Sequence, residues 1–242
     1  MSYFESRLRL NLSNFEETEQ KLNFCRELGI INLILEFDNG ENKIITEIKK
    51  KINKFSEFKI YYRTTIKPKN LDDLKRRLKM IKNISDITSI ESTDRKVQIK
   101  AAKDSRVDLL SFSNEDLLKT ITPGVISLTK QNNSFIEFSL EPIMVKNKAN
   151  QSRYLRNLYR ALQLAEQLNA NYIISGNFND KFNLRNPRAL VSISHTLLDL
   201  PLLIAKKVFS ENVIKLINRA KTRQDKSIIE PGVKLIKRGE IQ

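Results

Sequence analysis

Residues 135–144 read FIEFSLEPIM and residues 153–190 read RYLRNLYRALQLAEQLNANYIISGNFNDKFNLRNPRAL, and the change of period between them decides the fold. The first block alternates aromatic and β-branched residues as a strand does, until Pro142 breaks it. From Arg153 the period becomes helical, with Leu155, Leu158, Leu162, Ala165 and Leu168 recurring every three or four residues. Asn169 closes that helix, Tyr172, Ile173 and Ile174 open a second strand, and Ser175 and Gly176 stand at its end. A polar loop carrying Arg185 and Arg188 follows. In α/β barrels the C-terminal ends of such strands hold the functional sites.

The same alternation runs outward from this unit. It predicts strands over 7–12, 30–37, 58–66, 86–91, 107–112, 134–140 and 171–175, and helices over 14–28, 41–53, 71–82 and 93–103. Strands alternating with helices imply right-handed crossovers and a mainly parallel sheet. The expected fold is therefore α/β, a TIM-barrel-like barrel of about seven strands surrounded by helices, one strand short of the usual eight. Residues 201–223 read as helix only, and beyond them the pattern lapses. One barrel domain over 1–223 and a flexible tail over 224–242 are expected. A chain of 242 residues fits one large core, and no composition break divides it.

Glu5, Arg7 and Arg9 argue against a secretory signal, and His195 and Asp199 interrupt the longest apolar region, 190–205. A cytoplasmic protein that does not engage a membrane is expected. The lone cysteine, Cys25, lies on the apolar side of the first helix and reads as a buried inert thiol.

Charge is the second signal. The chain holds 43 Lys and Arg against 28 Asp and Glu, a formal +15, which suits a polyanionic partner. From Lys67 to Lys82 seven cations face two anions, and Lys146, Lys148, Arg153, Arg156 and Arg160 form another cluster. Arg153 and Arg156 project from nearly one helix face, with Arg185 beyond the next strand. Arg63, Arg95, Arg106, Arg153, Arg156, Arg185 and Arg188 are the candidate contacts to that polyanion, which the family resemblance given below makes an RNA. Each has a competing role as an ion-pair partner within the fold. Tyr61, Tyr62, Phe135 and Phe138 alternate like core strand residues, so backbone charge and shape are expected to dominate over base stacking.

Metal-dependent phosphoester chemistry draws on several histidines and carboxylates, and this chain has one histidine. His195 has no ligand-like neighbour at helical spacing and reads as structural. No HxH, HExxH, GxSxG or phosphate-loop motif occurs. Glu36, Asp38, Glu91, Glu137 and Glu141 stand near predicted strand ends and leave a carboxylate-held Mg²⁺ as a lesser reading.

The block FIEFSLEPIM, the pair Arg153-x-x-Arg156, NYIISG and LRNPRAL, in this order, resemble the protein component 3 family of ribonuclease P. The stretches VDLLSF at 107–112 and AKKVFSEN at 205–212 are similar to further elements of that family. Ile174 before Ser175, and Asn177 after Gly176, depart from its usual SSGA. The resemblance spans residues 7–223. It implies a PHP-like barrel without metal-binding histidines, and a subunit of the ribonucleoprotein that removes 5′ leaders from precursor tRNA. Catalysis then belongs to the RNA, with Mg²⁺ on the RNA and no catalytic residue, metal or cofactor in this chain. The implied partners are ribonuclease P RNA, the small ferredoxin-like component 2, other ribonuclease P proteins and, through the complex, precursor tRNA. The alternatives are a metal-dependent phosphoesterase of the PHP type and a general RNA-binding barrel.

Overall fold

The computed structural model describes residues 2–11, 14–37, 42–80, 85–225, 228–230 and 233–234. Seven strands pair in chain order, every neighbour parallel: β1 (Phe4–Leu10), β2 (Asn32–Phe37), β3 (Lys59–Ile66), β4 (Ile87–Ile90), β5 (Leu109–Phe112), β6 (Phe135–Ser139) and β7 (Tyr172–Ser175). Around them lie α1 (Phe15–Glu27), α2 (Asn42–Ile52), α3 (Leu71–Met80), α4 (Arg95–Lys103), α5 (Glu115–Lys119), α6 (Pro123–Gln131), α7 (Lys148–Gln167), α8 (Pro187–Thr196), α9 (Leu202–Lys207) and α10 (Glu211–Gln224).

Local chemistry sets the boundaries of these elements. The side chains of Asn14, Asp94, Asn114, Thr122, Asn147 and Asn186 each accept a backbone N–H from the first turn of the helix that follows. Asn133 (φ 51°) and Asn169 (φ 50°) reverse the chain after α6 and α7 in the left-handed region that asparagine tolerates. Leu33 and Leu35 of β2 point outward into the main core beneath the helices, while Ile34 and Glu36 point into the barrel.

β1 and β7 form no ladder, and residues 208–212 fill the space an eighth strand would take. Phe4 donates its N–H to Phe209 O at 2.9 Å, Ile174 donates to Val208 O at 3.4 Å, and Asn212 Nδ2 donates to Tyr172 O at 2.8 Å. α10 then crosses the N-terminal end of the barrel. Its Val213, Leu216, Ile217 and Ala220 pack on Phe4, Ile34, Ile87, Leu109, Phe135 and Ile173. Arg219 and Arg223 both clasp the buried Asp108, Arg223 with bonds of 2.7 and 3.0 Å.

One expectation is corrected here. The first strand begins at Phe4 rather than residue 7, because its polar residues face a polar interior and leave no apolar alternation to read. Between β5 and β6 the chain forms two short helices, α5 and α6. Beyond α10, β8 (Ile228–Glu230) and β9 (Val233–Lys234) pair antiparallel, consistent with β-branched residues on either side of Pro231-Gly232 in the sequence.

Candidate nucleic-acid interface

The barrel interior has two storeys. Below lies the apolar layer over α10, and above it, toward the strand C-termini, side chains meet in an ionic network. Arg7, fully buried, forks onto Glu36 through Nε and Nη2, the latter at 3.1 Å from Oε1. Its Nη1 reaches Glu91 Oε1 at 2.5 Å and Ser111 Oγ at 3.1 Å. Arg63 forks onto Glu137 at 2.7 and 2.9 Å and donates to Ser89 Oγ at 2.9 Å. Lys67, at the barrel mouth, adds a third cation 3.3 Å from Glu91 Oε2.

Burial alone would raise the pKa of each of these carboxyls, but the guanidiniums outweigh it. Glu91 is held at about 2 by Arg7, and Glu36 and Glu137 are held below the usual carboxylate range by Arg63 and Arg7. Glu5 behaves in the opposite way. Burial pushes it up to about 7 despite N–H bonds from Arg7, Asn177 and Gly176, and the Glu137 charge adds to the rise.

The acidic candidates are thus accounted for residue by residue. Glu36, Glu91 and Glu137 converge, and guanidinium groups hold them. Glu141 sits apart in a 3-10 turn over Glu141–Met144, 3.4 Å from Asn179 Nδ2. Asp38 lies outside the described residues. Among the described residues no group of three or more His, Cys, Asp or Glu is arranged to hold a metal. His195 is exposed on α8 and donates Nδ1–H to Leu200 O at 2.7 Å. Cys25 is fully buried, its thiol pushed up to about 12 by burial and then by Glu5.

The seven candidate arginines do not form one site. Arg63, expected as an RNA contact, is corrected: only 2% exposed, it serves the internal network instead. Arg106 precedes β5 at the opposite, N-terminal end and forks onto Asp104 at 2.9 and 2.8 Å. The other five follow strand C-termini. Arg95 opens α4, beside a groove of about 460 Å³ lined by Lys67, Lys69, Glu91, Ser92 and Asp94. Arg153 and Arg156 are exposed on the first half of α7, and Arg153 lies 3.8 Å from Glu115 of α5. Arg188 is exposed in the first turn of α8. Arg185 turns onto the carbonyls of Phe182 and Leu184, and the structure shows no contact that joins it to Arg153 and Arg156.

Phe135 and Phe138 are buried, and Tyr62 stacks on Phe37 with ring centres 5.8 Å apart. These aromatics pack the fold. Sequence reasoning passed over Arg7, the hub of the network, and Phe182, an aromatic in a polar loop whose isolation from any apolar period was the available signal.

Comparison with known proteins places this geometry in a lineage. The sequence model of the family described as RNase P subunit p30 matches residues 7–225. The ribonuclease P protein component 3 of Methanococcus maripaludis (strain S2) is 25% identical over 198 residues, covering 81% of this chain and 83% of the relative. That of Methanocaldococcus jannaschii is 24% identical over 232 residues, covering 95% and 98%. A chain in the cryo-EM structure of archaeal ribonuclease P with mature tRNA shares the fold, with a TM-score of 0.81 at 23% identity over 98% of this chain and 100% of that one.

Proposed function

This chain belongs to the RNase P subunit p30 family, and from that we propose that it is a protein subunit of ribonuclease P that binds and supports the RNA of the particle while performing no bond cleavage itself. The observation that carries the second half is the internal network. The carboxylates that a phosphoesterase of this architecture would turn toward a metal are here engaged by Arg7, Arg63 and Lys67. What remains for chemistry is a positively charged rim at the strand C-termini, formed by Arg95, Arg153, Arg156, Arg185 and Arg188. Such cations bind phosphates by releasing counterions, with little dependence on sequence.

In this reading Mg²⁺ sits on the RNA, and this chain lowers the concentration needed by neutralising phosphates. The small ferredoxin-like component 2 is its protein partner, and precursor tRNA is met through the assembled particle, in the cytoplasm. Reconstitution tests the reading. Precursor-tRNA cleavage by the RNA and the remaining proteins is measured over a Mg²⁺ series, with and without this chain. The expected result is no cleavage by the chain alone and a lower Mg²⁺ requirement in its presence. Cleavage of the 5′ leader by the purified chain would restore the phosphoesterase reading. Recovery from its native cell with many RNAs and without component 2 would favour a general RNA-binding barrel.

A further inference from the structure

Phe182 is the most exposed large apolar side chain among the described residues, at 70%. It stands on a 3-10 turn over Lys181–Asn183, just past β7 on the face that carries the basic rim. The turn is firmly built. Asp180 Oδ1 accepts the Phe182 N–H at 3.0 Å, and Arg185 Nη1 donates to the carbonyls of Phe182 at 2.6 Å and Leu184 at 2.8 Å. Phe178 and Leu184 anchor both flanks in the core. Lys181 Nζ bridges to Gln20 of α1 at 2.7 Å and lies 5.2 Å from the centre of the Phe182 ring. A ring presented this way is already ordered, so a partner that covers it meets little further conformational cost.

The surroundings select the partner. A protein contact would gather apolar neighbours around the ring and exclude lysine. Here Lys181 lies against the ring, and the exposed residues that flank it in the chain are Asn179, Asp180, Asn186 and Arg188, with the half-buried Arg185 between them. Arg9 joins from β1, donating to Asn179 Oδ1 at 3.3 Å. Four cations outnumber the carboxylates around the turn: Asp180 is occupied as its cap, Glu141 accepts from Asn179 at 3.4 Å, and Glu17 is paired with Lys21 at 2.8 Å. An aromatic face set among cations suits a stacked nucleobase whose flanking phosphates need neutralising. We infer that Phe182 is a stacking platform for an unpaired base of the bound RNA, with Lys181 and Arg188 on the phosphates beside it. The inference rests on the RNA-binding reading above and specifies single-stranded or bulged RNA at this point of the rim.

The test uses the full chain and transcribed ribonuclease P RNA, with binding titrated over several KCl concentrations and thermal melting recorded for each variant. Phe182→Ala is expected to weaken binding about tenfold, the size of one base–aromatic stack, with the salt slope unchanged because no phosphate contact is lost. Phe182→Trp retains affinity, whereas Arg188→Ala lowers the slope by about one unit. RNA carrying 5-iodouridine is expected to crosslink to Phe182 on irradiation. Phe182→Ala binding as tightly as the parent overturns the stacking platform and leaves the RNA reading intact. A parent chain without affinity for the RNA overturns both. A loss that appears only when the other protein subunits are added makes Phe182 a protein contact and overturns the inference.

Discussion

Arg63 on β3 and Glu137 on β6 face each other across the inside of the barrel and are joined by two parallel hydrogen bonds of 2.7 and 2.9 Å. Neither side chain meets solvent to any useful extent, so each is the other's means of staying charged. Arg63→Met leaves Glu137 buried beside a single remaining guanidinium 3.5 Å away. The expected cost is about 3–5 kcal/mol in chemical denaturation, with Arg63→Met combined with Glu137→Leu recovering a large part of it. A single variant as stable as the parent would refute the pairing.

Stability should peak in mildly acidic solution. The pKa of Glu91 is lowered from 4.5 to about 2, so its contribution is fully present above 4.5 and is lost as pH falls toward 2. Glu5 is raised from 4.5 to about 7, so its contribution is fully present below 4.5 and is lost as pH rises through 7. That rise spans about 3 kcal/mol. Glu5→Gln keeps an oxygen for the Arg7 and Gly176 N–H groups and is expected to flatten the neutral side of the curve while leaving the acid side. Melting temperatures from pH 2 to 8 read both limbs.

Gly176 is required for closeness. A Cβ there would lie 2.5 Å from Glu5 Oε2 and 2.7 Å from the Phe178 ring, all within the buried seam between β1 and β7. Gly176→Ala is expected to cost about 1–3 kcal/mol, measured by urea unfolding. An unchanged midpoint would mean that the seam yields easily.

The two ends of the barrel should separate in RNA binding. Arg153→Ala with Arg156→Ala is expected to reduce the salt slope by about two, with the fold intact. Arg106→Ala, at the N-terminal end and paired with Asp104, is expected to leave the slope unchanged while disturbing only that pair. Equal effects from both would place the RNA somewhere other than the C-terminal rim.

The seven-strand alternation was legible because each strand's outer face is apolar and each helix keeps its own period. The interior was harder to read. Glu5, Ser6 and Arg7 carry no hydrophobic alternation, so the first strand looked shorter than it is. Arg63 looked like a surface cation for a related reason: its partner lies 74 residues away, and only the closed sheet brings them together. Helix α5, five residues long, gives little period to find. The basic character of the rim was visible in composition, whereas its division between two barrel ends required the topology.

The strap over residues 208–212 also fixes an order of events during synthesis. Phe4 and Phe209 hydrogen-bond to each other, yet the ribosome makes them 205 residues apart, from 209 minus 4. Until Phe209 has emerged, β1 offers a free edge that β2 covers on one side only. The nascent sheet therefore waits open through most of translation. Its closure is a late step that waits for residue 209, and the interval before it is the one in which a chaperone or a neighbouring nascent chain would find a strand to pair with.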